Sequence, residues 1–299
     1  MEELKKYLIT KDYKIIGNKY FDRGGHGQLY KCRNLTNNKI YALKIEERKK
    51  NYSSTLYNEM KIYRKIKGSE KNGIPKIILI GKTNQYYYII MKMYKKNLDD
   101  LKNAVGGSFT MPTIMNIGLQ VVNILHLLHK QNIIHRDIKP ENTMIDNQDR
   151  IFLIDYGLAK QFTDLNDSKL FNKECSKSRC GTVRYMSIQC HKKTKLSRKD
   201  DLLSLGYMLV YLYIGNLPWQ GLDISDKKEK DEAVYEIKDY YGINKLCKRL
   251  PSFFKNYFNH LNSLSQSDRP DYNLIKNLFI TEMKTSNFDT SNYDWSVLD

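Results

Sequence analysis

Strand signals dominate the first 93 positions, and helical spacing takes over after Tyr94. Residues 13–21, 28–33 and 39–46 read as three strands, with turn chemistry at Arg23-Gly24-Gly25 and Asn37-Asn38. A helix is expected over 52–66, then two more strands over 77–80 and 86–91. Beyond Tyr94, Ile114, Ile117, Val121, Leu125 and Leu128 recur on one helical face. Residues 202–214 are apolar on nearly all sides, which predicts a buried central helix. Further helices are expected over 232–241, 251–264 and 271–279. The pattern predicts an α+β protein: a small sheet-rich lobe over about 1–93 and a larger helical lobe over about 94–299. A seam near Met93 would form a cleft, the usual place for a small-molecule site.

Composition narrows the partners. With 50 Lys and Arg against 33 Asp and Glu, the chain carries +17. Such a surface attracts phosphate-bearing or acidic partners. An alternative origin is codon usage, since Lys, Asn, Ile and Tyr are all abundant. No nucleic-acid motif accompanies the charge, so specific nucleic-acid binding is not expected. Residues 1–10 are charged and lack the apolar stretch of a signal peptide. The run 202–214 is too short to span a bilayer, and no lipidation motif stands at either end. Five cysteines, an odd number without framework spacing, suit a reducing compartment. Cys175, Cys180, Cys190 and His191 match none of the common zinc spacings and read as unlinked thiols beside a histidine.

Three stretches carry chemistry. The first is Arg23-Gly24-Gly25-His26-Gly27, between two predicted strands. Glycines there let the backbone approach an anion and turn N–H groups toward it, although a plain hairpin turn has the same composition. Seventeen residues past Gly27, Lys44 ends Tyr41-Ala42-Leu43-Lys44. A lysine facing the cleft needs a counter-charge, and Glu59 on the next helix is the natural candidate.

The second stretch is His135-Arg136-Asp137-Ile138-Lys139-Pro140-Glu141-Asn142, after a long helix and before a short strand at Met144-Ile145. Phosphoryl transfer needs a carboxylate to orient or accept the proton of the attacking hydroxyl, and Asp137 fits that task. Lys139 can steady the charge on the transferring group. Asn142 can supply an oxygen ligand to Mg²⁺. The third stretch is Leu153-Ile154-Asp155-Tyr156-Gly157, with Asp155 18 residues after Asp137. Its carboxylate suits a hard cation that prefers oxygen. Tyr156 should pack as a buried aromatic, and its hydroxyl then needs a partner.

Taken in order, these strings resemble the eukaryotic protein kinases. Within them, Gly181-Thr182-Val183-Arg184-Tyr185, Ser187-Ile188-Gln189, residues 197–207, Leu217-Pro218-Trp219-Gln220-Gly221-Leu222, Pro270-Asp271-Tyr272 and Tyr293-Asp294-Trp295 resemble the casein kinase I family. The vaccinia-related kinases match these strings less closely. The resemblance runs from about Tyr13 to Leu298. It departs at Gln189, where that family has Asn, and at Asp22, which stands where kinases place the first glycine of the loop.

The resemblance implies a single kinase domain over 1–299, a bilobal fold, and serine/threonine transfer from ATP with Mg²⁺. Nucleotide contacts would come from Gly24, Gly25, Gly27, Leu29, Ala42, Lys44 and Glu59. Met91 would be the gatekeeper, with Lys92 and Met93 at the hinge. Catalysis would use Asp137, Lys139 and Lys44, and metal binding Asn142 and Asp155. Substrates would be acidic or phosphate-primed proteins, met by Arg184, Gly221 and Lys230, and the enzyme would work as a monomer away from membranes. Asp201 would brace the catalytic-loop backbone. Thr163, Ser168, Ser176 and Ser178 lie in a loop made basic by Lys169, Lys173, Lys177 and Arg179. Many kinases pair the arginine equivalent to Arg136 with a phosphate on that loop, whereas casein kinase I enzymes resemble constitutively active ones. A carboxylate at Asp22 aimed at phosphates would be repelled by about 3 kcal/mol at about 5 Å and an effective dielectric of about 20. Asp22 is therefore expected to turn outward, to pair with a cation, or to weaken ATP binding. That departure is what the alternative reading, a scaffold that binds partners without transfer, would rest on.

Overall fold

The computed structural model describes residues 1–17, 19–20, 22–24, 27–49, 53–162 and 180–298. Gly25, the loop residues 163–179 with their serines and basic side chains, and Cys175 lie outside the described residues, as does the side chain of Asp22.

The chain opens with α1 (Glu2–Ile9), followed by β1 (Tyr13–Ile16), β2 (Asp22–Gly24), β3 (Gly27–Asn34) and β4 (Ile40–Glu47). Helix α2 (Thr55–Lys65) separates these from β5 (Ile77–Lys82) and β6 (Tyr86–Lys92). The strands form one antiparallel sheet in the order β1-β3-β4-β6-β5, with β2 folded onto β3. Period-two alternation gives the sheet two different faces. Leu43 and Ile45 point to one, where Leu4 and Leu8 of α1 pack with Tyr30, Cys32, Tyr88 and Ile90. Ala42, Ile89 and Met91 point to the other, against Leu56 and Met60 of α2. Lys44 sits among that second set, so its side chain projects into the interlobe space rather than into water.

The strand expected over 13–21 stops at Ile16. Gly17 adopts φ +77°, a left-handed backbone, and ends β1. The helix α1 was not anticipated: Leu4 and Leu8 are its only buried side chains, and two apolar positions among charges give no period to read.

The second lobe contains β7 (Lys96–Asn97), α3 (Leu98–Ala104), α4 (Met111–Lys130), β8 (Ile133–Ile134), β9 (Thr143–Ile145), β10 (Ile151–Leu153) and β11 (Lys160–Gln161). It continues with α5 (Ile188–His191), α6 (Arg198–Ile214), α7 (Lys227–Leu246), α8 (Ser252–Ser263) and α9 (Tyr272–Thr285). The five predicted apolar positions of α4 are all fully buried. By length and composition α4 could cross a membrane, which the sequence reading did not flag, but most of its apolar window is covered by protein.

Helix α6 is the central helix. A reciprocal cap between Ser197 and Asp200 starts it, and Gly215 at φ +86° ends it. Helix α7 extends beyond the predicted 232–241 at both ends. Asp226 caps it by accepting from Lys228 N and Glu229 N, and Gly242 kinks it near its end. Two small ladders, β7-β9-β10 and β8-β11, lie at the interlobe surface of this helical body. The whole is the two-lobed α+β architecture expected from the pattern.

Candidate active site

The site forms where β4 and α2 face the loops after β8 and β10. Lys44 Nζ lies 2.7 Å from Glu59 Oε2 and 2.9 Å from Asp155 Oδ1. Burial opposes the charge on Lys44, but Asp155 and Glu59 outweigh it and hold its pKa above the usual lysine range. Glu59 also accepts from Tyr156 N at 3.3 Å through its other oxygen. One carboxylate on α2 therefore fixes both the strand lysine and the backbone after Asp155. Asn58, its neighbour, donates to Gly157 O at 2.9 Å and Ala159 O at 2.8 Å. Sequence reading missed Asn58, since nothing marks a surface-type asparagine as a tether.

Asp137 is surrounded by donors. Its Oδ1 accepts from Thr182 N at 2.9 Å and Thr182 Oγ1 at 2.8 Å. Its Oδ2 accepts from Asn142 Nδ2 at 3.0 Å and lies 3.1 Å from Lys139 Nζ. Lys139 also donates to Thr182 Oγ1 at 3.1 Å. Asp137 is 6% exposed, so these donors replace water around its carboxylate. Thr182 belongs to a quoted string but was given no role in the sequence reading.

The loop bearing Asp137 is held from below. Asp201, in the first turn of α6, accepts from His135 N and Arg136 N, both at 2.8 Å. Arg136 stands at φ +70°, an uncommon conformation for a side-chain-bearing residue, and these bonds stabilise it. Behind Asp201, His129 approaches it at 2.8 Å through Nε2, and the opposite ring nitrogen contacts the Tyr272 hydroxyl. Burial alone would raise the Asp201 pKa, but the hydrogen bond and charge of His129 hold it below the ordinary carboxylate range. Burial lowers the pKa of His135, against the pull of Asp201, Asp137 and Asp155.

The two expected metal-ligating residues are joined through backbone: Ile154 N, just before Asp155, donates to Asn142 O at 2.9 Å. Asn142 uses its NH₂ group on the carbonyl and carboxylate of Asp137, which turns its side-chain oxygen to the remaining side. Among the described residues no cluster of three or more His, Cys, Asp or Glu could by itself hold a metal ion. An oxygen pair of this kind suits Mg²⁺, which draws its other ligands from phosphates and water. The donor set therefore fits a magnesium–nucleotide. It does not fit a structural zinc, and Cys190 Sγ instead points at the Cys180 carbonyl at 2.9 Å.

The glycine hairpin lies across the sheet from Lys44. Gly24 pairs with Gly27, and Leu29 pairs with Lys44. At Gly27, φ is +142° and a Cβ would meet the Ile45 carbonyl at 2.7 Å, so only glycine fits. Ala42 pairs with Met91, and both are nearly buried. Lys92 narrows the hinge expectation. Its amide already donates to Lys76 O at 2.9 Å, so that N–H is engaged within the protein. Its side chain pairs with Glu70 at 2.6 Å.

The expected anion residues come from three places in the helical body: Arg184 before α5, Gly221 between α6 and α7, and Lys230 in the first turn of α7. Arg184 is half-buried, with its guanidinium over Tyr185 at 5.6 Å and Tyr211 at 5.4 Å. Gly221 and Lys230 are exposed. Tyr156 is fully buried against Tyr63 and His135, at ring distances of 5.1 and 4.9 Å. Its hydroxyl has no hydrogen-bond partner among the described residues, contrary to expectation.

A family model described as protein kinase domain matches residues 14–284, which covers the sheet, the interlobe acids and the helical body. By that match, and with its lysine, paired acids and glycine hairpin arranged around one cleft, the chain belongs to the protein kinase family.

Proposed function

We propose that this protein kinase transfers the γ-phosphoryl group of ATP to serine or threonine hydroxyls of acidic or phosphate-bearing proteins, as casein kinase I enzymes do. The observation that carries the reading is the environment of Asp137. Its carboxylate is fixed by Thr182, Lys139 and Asn142 on one edge of the cleft, while Lys44 and Asp155 face each other 2.9 Å apart on the other. Asp137 orients the acceptor hydroxyl and takes its proton. Lys139 offsets negative charge on the group in flight. Lys44, kept cationic by its two carboxylates, binds the α- and β-phosphates. Asp155 and Asn142 would hold Mg²⁺, which would offset negative charge on the phosphates. Arg184 offers a planar fork to a phosphate or carboxylate on the substrate, with Lys230 and the Gly221 backbone adding to it once substrate is present.

The test is transfer from γ-labelled ATP, with Mg²⁺, to peptides bearing one serine, threonine or tyrosine. Some peptides carry phosphoserine or glutamate three residues earlier. Labelling of serine and threonine peptides, reduced at least about 100-fold in D137N and D155N, is the expected result. Labelling confined to tyrosine, or undiminished in D137N, would overturn the reading. Nucleotide binding without transfer would favour a scaffold.

A further inference from the structure

The segment 181–187 carries both Thr182 and Arg184, and its backbone makes few bonds of its own. Tyr185 N and Met186 N both donate to Thr182 O, at 2.9 and 3.1 Å. The carbonyls of Val183, Arg184 and Met186 are instead taken by side chains of the helical body. Lys238 of α7 donates to Val183 O at 2.7 Å and to Met186 O at 2.8 Å. Trp219 Nε1 donates to Arg184 O at 2.8 Å.

Lys238 is 3% exposed and, among the described residues, pairs with no carboxylate. Its remaining polar neighbour is His191 Nε2 at 3.2 Å, and the rings of Tyr207 and Trp219 lie 5.3 and 5.1 Å away. Burial drives its pKa well below the usual lysine value. Both protonation states satisfy the same three neighbours. An ammonium donates to all three, and a neutral amine donates to the carbonyls and accepts from the imidazole. A buried lysine without a counter-ion is costly, and an apolar side chain would serve packing alone better. What the lysine supplies that a methionine cannot is the pair of bonds to Val183 and Met186.

We infer that Lys238 is a positioning residue for the protein acceptor: with Trp219 it fixes the carbonyls of Val183, Arg184 and Met186, so that Thr182 meets Asp137 and Arg184 meets an acidic group on the substrate. The part concerning the acceptor rests on the function proposed above; the part concerning the shape of the segment does not.

Two variants separate the bonds from the packing. K238M keeps the volume and removes the donors. K238R restores donors, and a cavity of about 150 Å³ bordered by Lys238, Leu203, Tyr207, Trp219 and Ile243 leaves room for the larger head. Amide hydrogen exchange is read at Tyr185 and Met186, with His135 and Arg136 as internal controls. Steady-state kinetics are read with the acidic peptide and with ATP. In K238M, exchange at Tyr185 and Met186 should quicken roughly 10-fold while the controls stay as in the parent, as the loss of two hydrogen bonds implies. The peptide KM should rise by about the same factor with the ATP KM unchanged, and K238R should recover both. Unchanged exchange in K238M would overturn the inference, as would equal losses for peptide and ATP. Were the parent to phosphorylate no peptide, the serine/threonine reading would fail by itself, and the exchange result would still decide the role of Lys238.

Discussion

Thr182 donates twice to a single oxygen of Asp137, through its amide at 2.9 Å and its hydroxyl at 2.8 Å, and accepts from Lys139 at 3.1 Å. The hydroxyl thus sits between the acid and the lysine proposed to act on the acceptor. T182A keeps the amide bond and loses the bridge. Its kcat should fall about 10-fold with the ATP KM unchanged, and T182S should retain most of the activity. Equal kcat in parent and T182A would show that the bridge is dispensable.

Arg184 is stacked on two tyrosines and hydrogen-bonded to the Tyr185 hydroxyl at 3.3 Å, so it is held in place without a carboxylate partner among the described residues. R184A should reduce kcat/KM for a phosphoserine-primed peptide by roughly 10- to 100-fold, in the range of a charge-assisted hydrogen bond. For an unprimed peptide the loss should be only a fewfold. Equal loss on both would remove Arg184 from anion recognition.

The Tyr156 hydroxyl is buried and without a partner among the described residues, so its removal should stabilise the protein. Y156F is expected to raise unfolding free energy by about 1 kcal/mol. In a chain of this size that moves Tm by about 2–4 °C. Kinase activity should persist, since the ring keeps its contacts with Tyr63 and His135. A lower Tm in Y156F would mean that the hydroxyl has a partner in solution.

Asp200 gives a pH dependence of definite sign. Burial pushes its carboxyl up to about 6, against hydrogen bonds from Ser187 at 2.5 Å and Ser197 N at 2.6 Å. The unfolded chain releases this proton near the usual value of about 4. The folded chain holds it until about 6, so the contribution is present below pH 4 and is lost as pH rises through 6. Relative to D200N, the parent should lose about 2 kcal/mol of unfolding free energy between about pH 4 and pH 7. Parallel denaturation profiles for the two proteins would contradict this.

The acids of the cleft were readable because each sits in a short string whose order reflects one loop: Asp137, Lys139 and Asn142 lie within six positions and share partners. The pair Lys44–Glu59 was readable because a strand lysine facing a cleft needs a counter-charge. Residues that act through burial were not readable. Lys238 is one of 50 basic residues, and nothing in its neighbours distinguishes it from a solvated helix lysine. Asn58, and the His129–Tyr272 contact behind Asp201, depend on how elements far apart in sequence meet. Helix boundaries failed where charge hides the period, as in α1 and the first turn of α7. The hairpin was visible from its glycines, but only the Ile45 carbonyl beside Gly27 shows why that position admits no other residue.

The two bonds from Asn58 to the Gly157 and Ala159 carbonyls have a pharmacological consequence. Compounds that bind by prying α2, with Glu59, away from the loop after Asp155 must break both, at about 1 kcal/mol each, besides the Lys44–Glu59 pair. Inhibitors of that type should be handicapped here. Flat adenine mimics, which leave the lobes as they stand, face no such barrier.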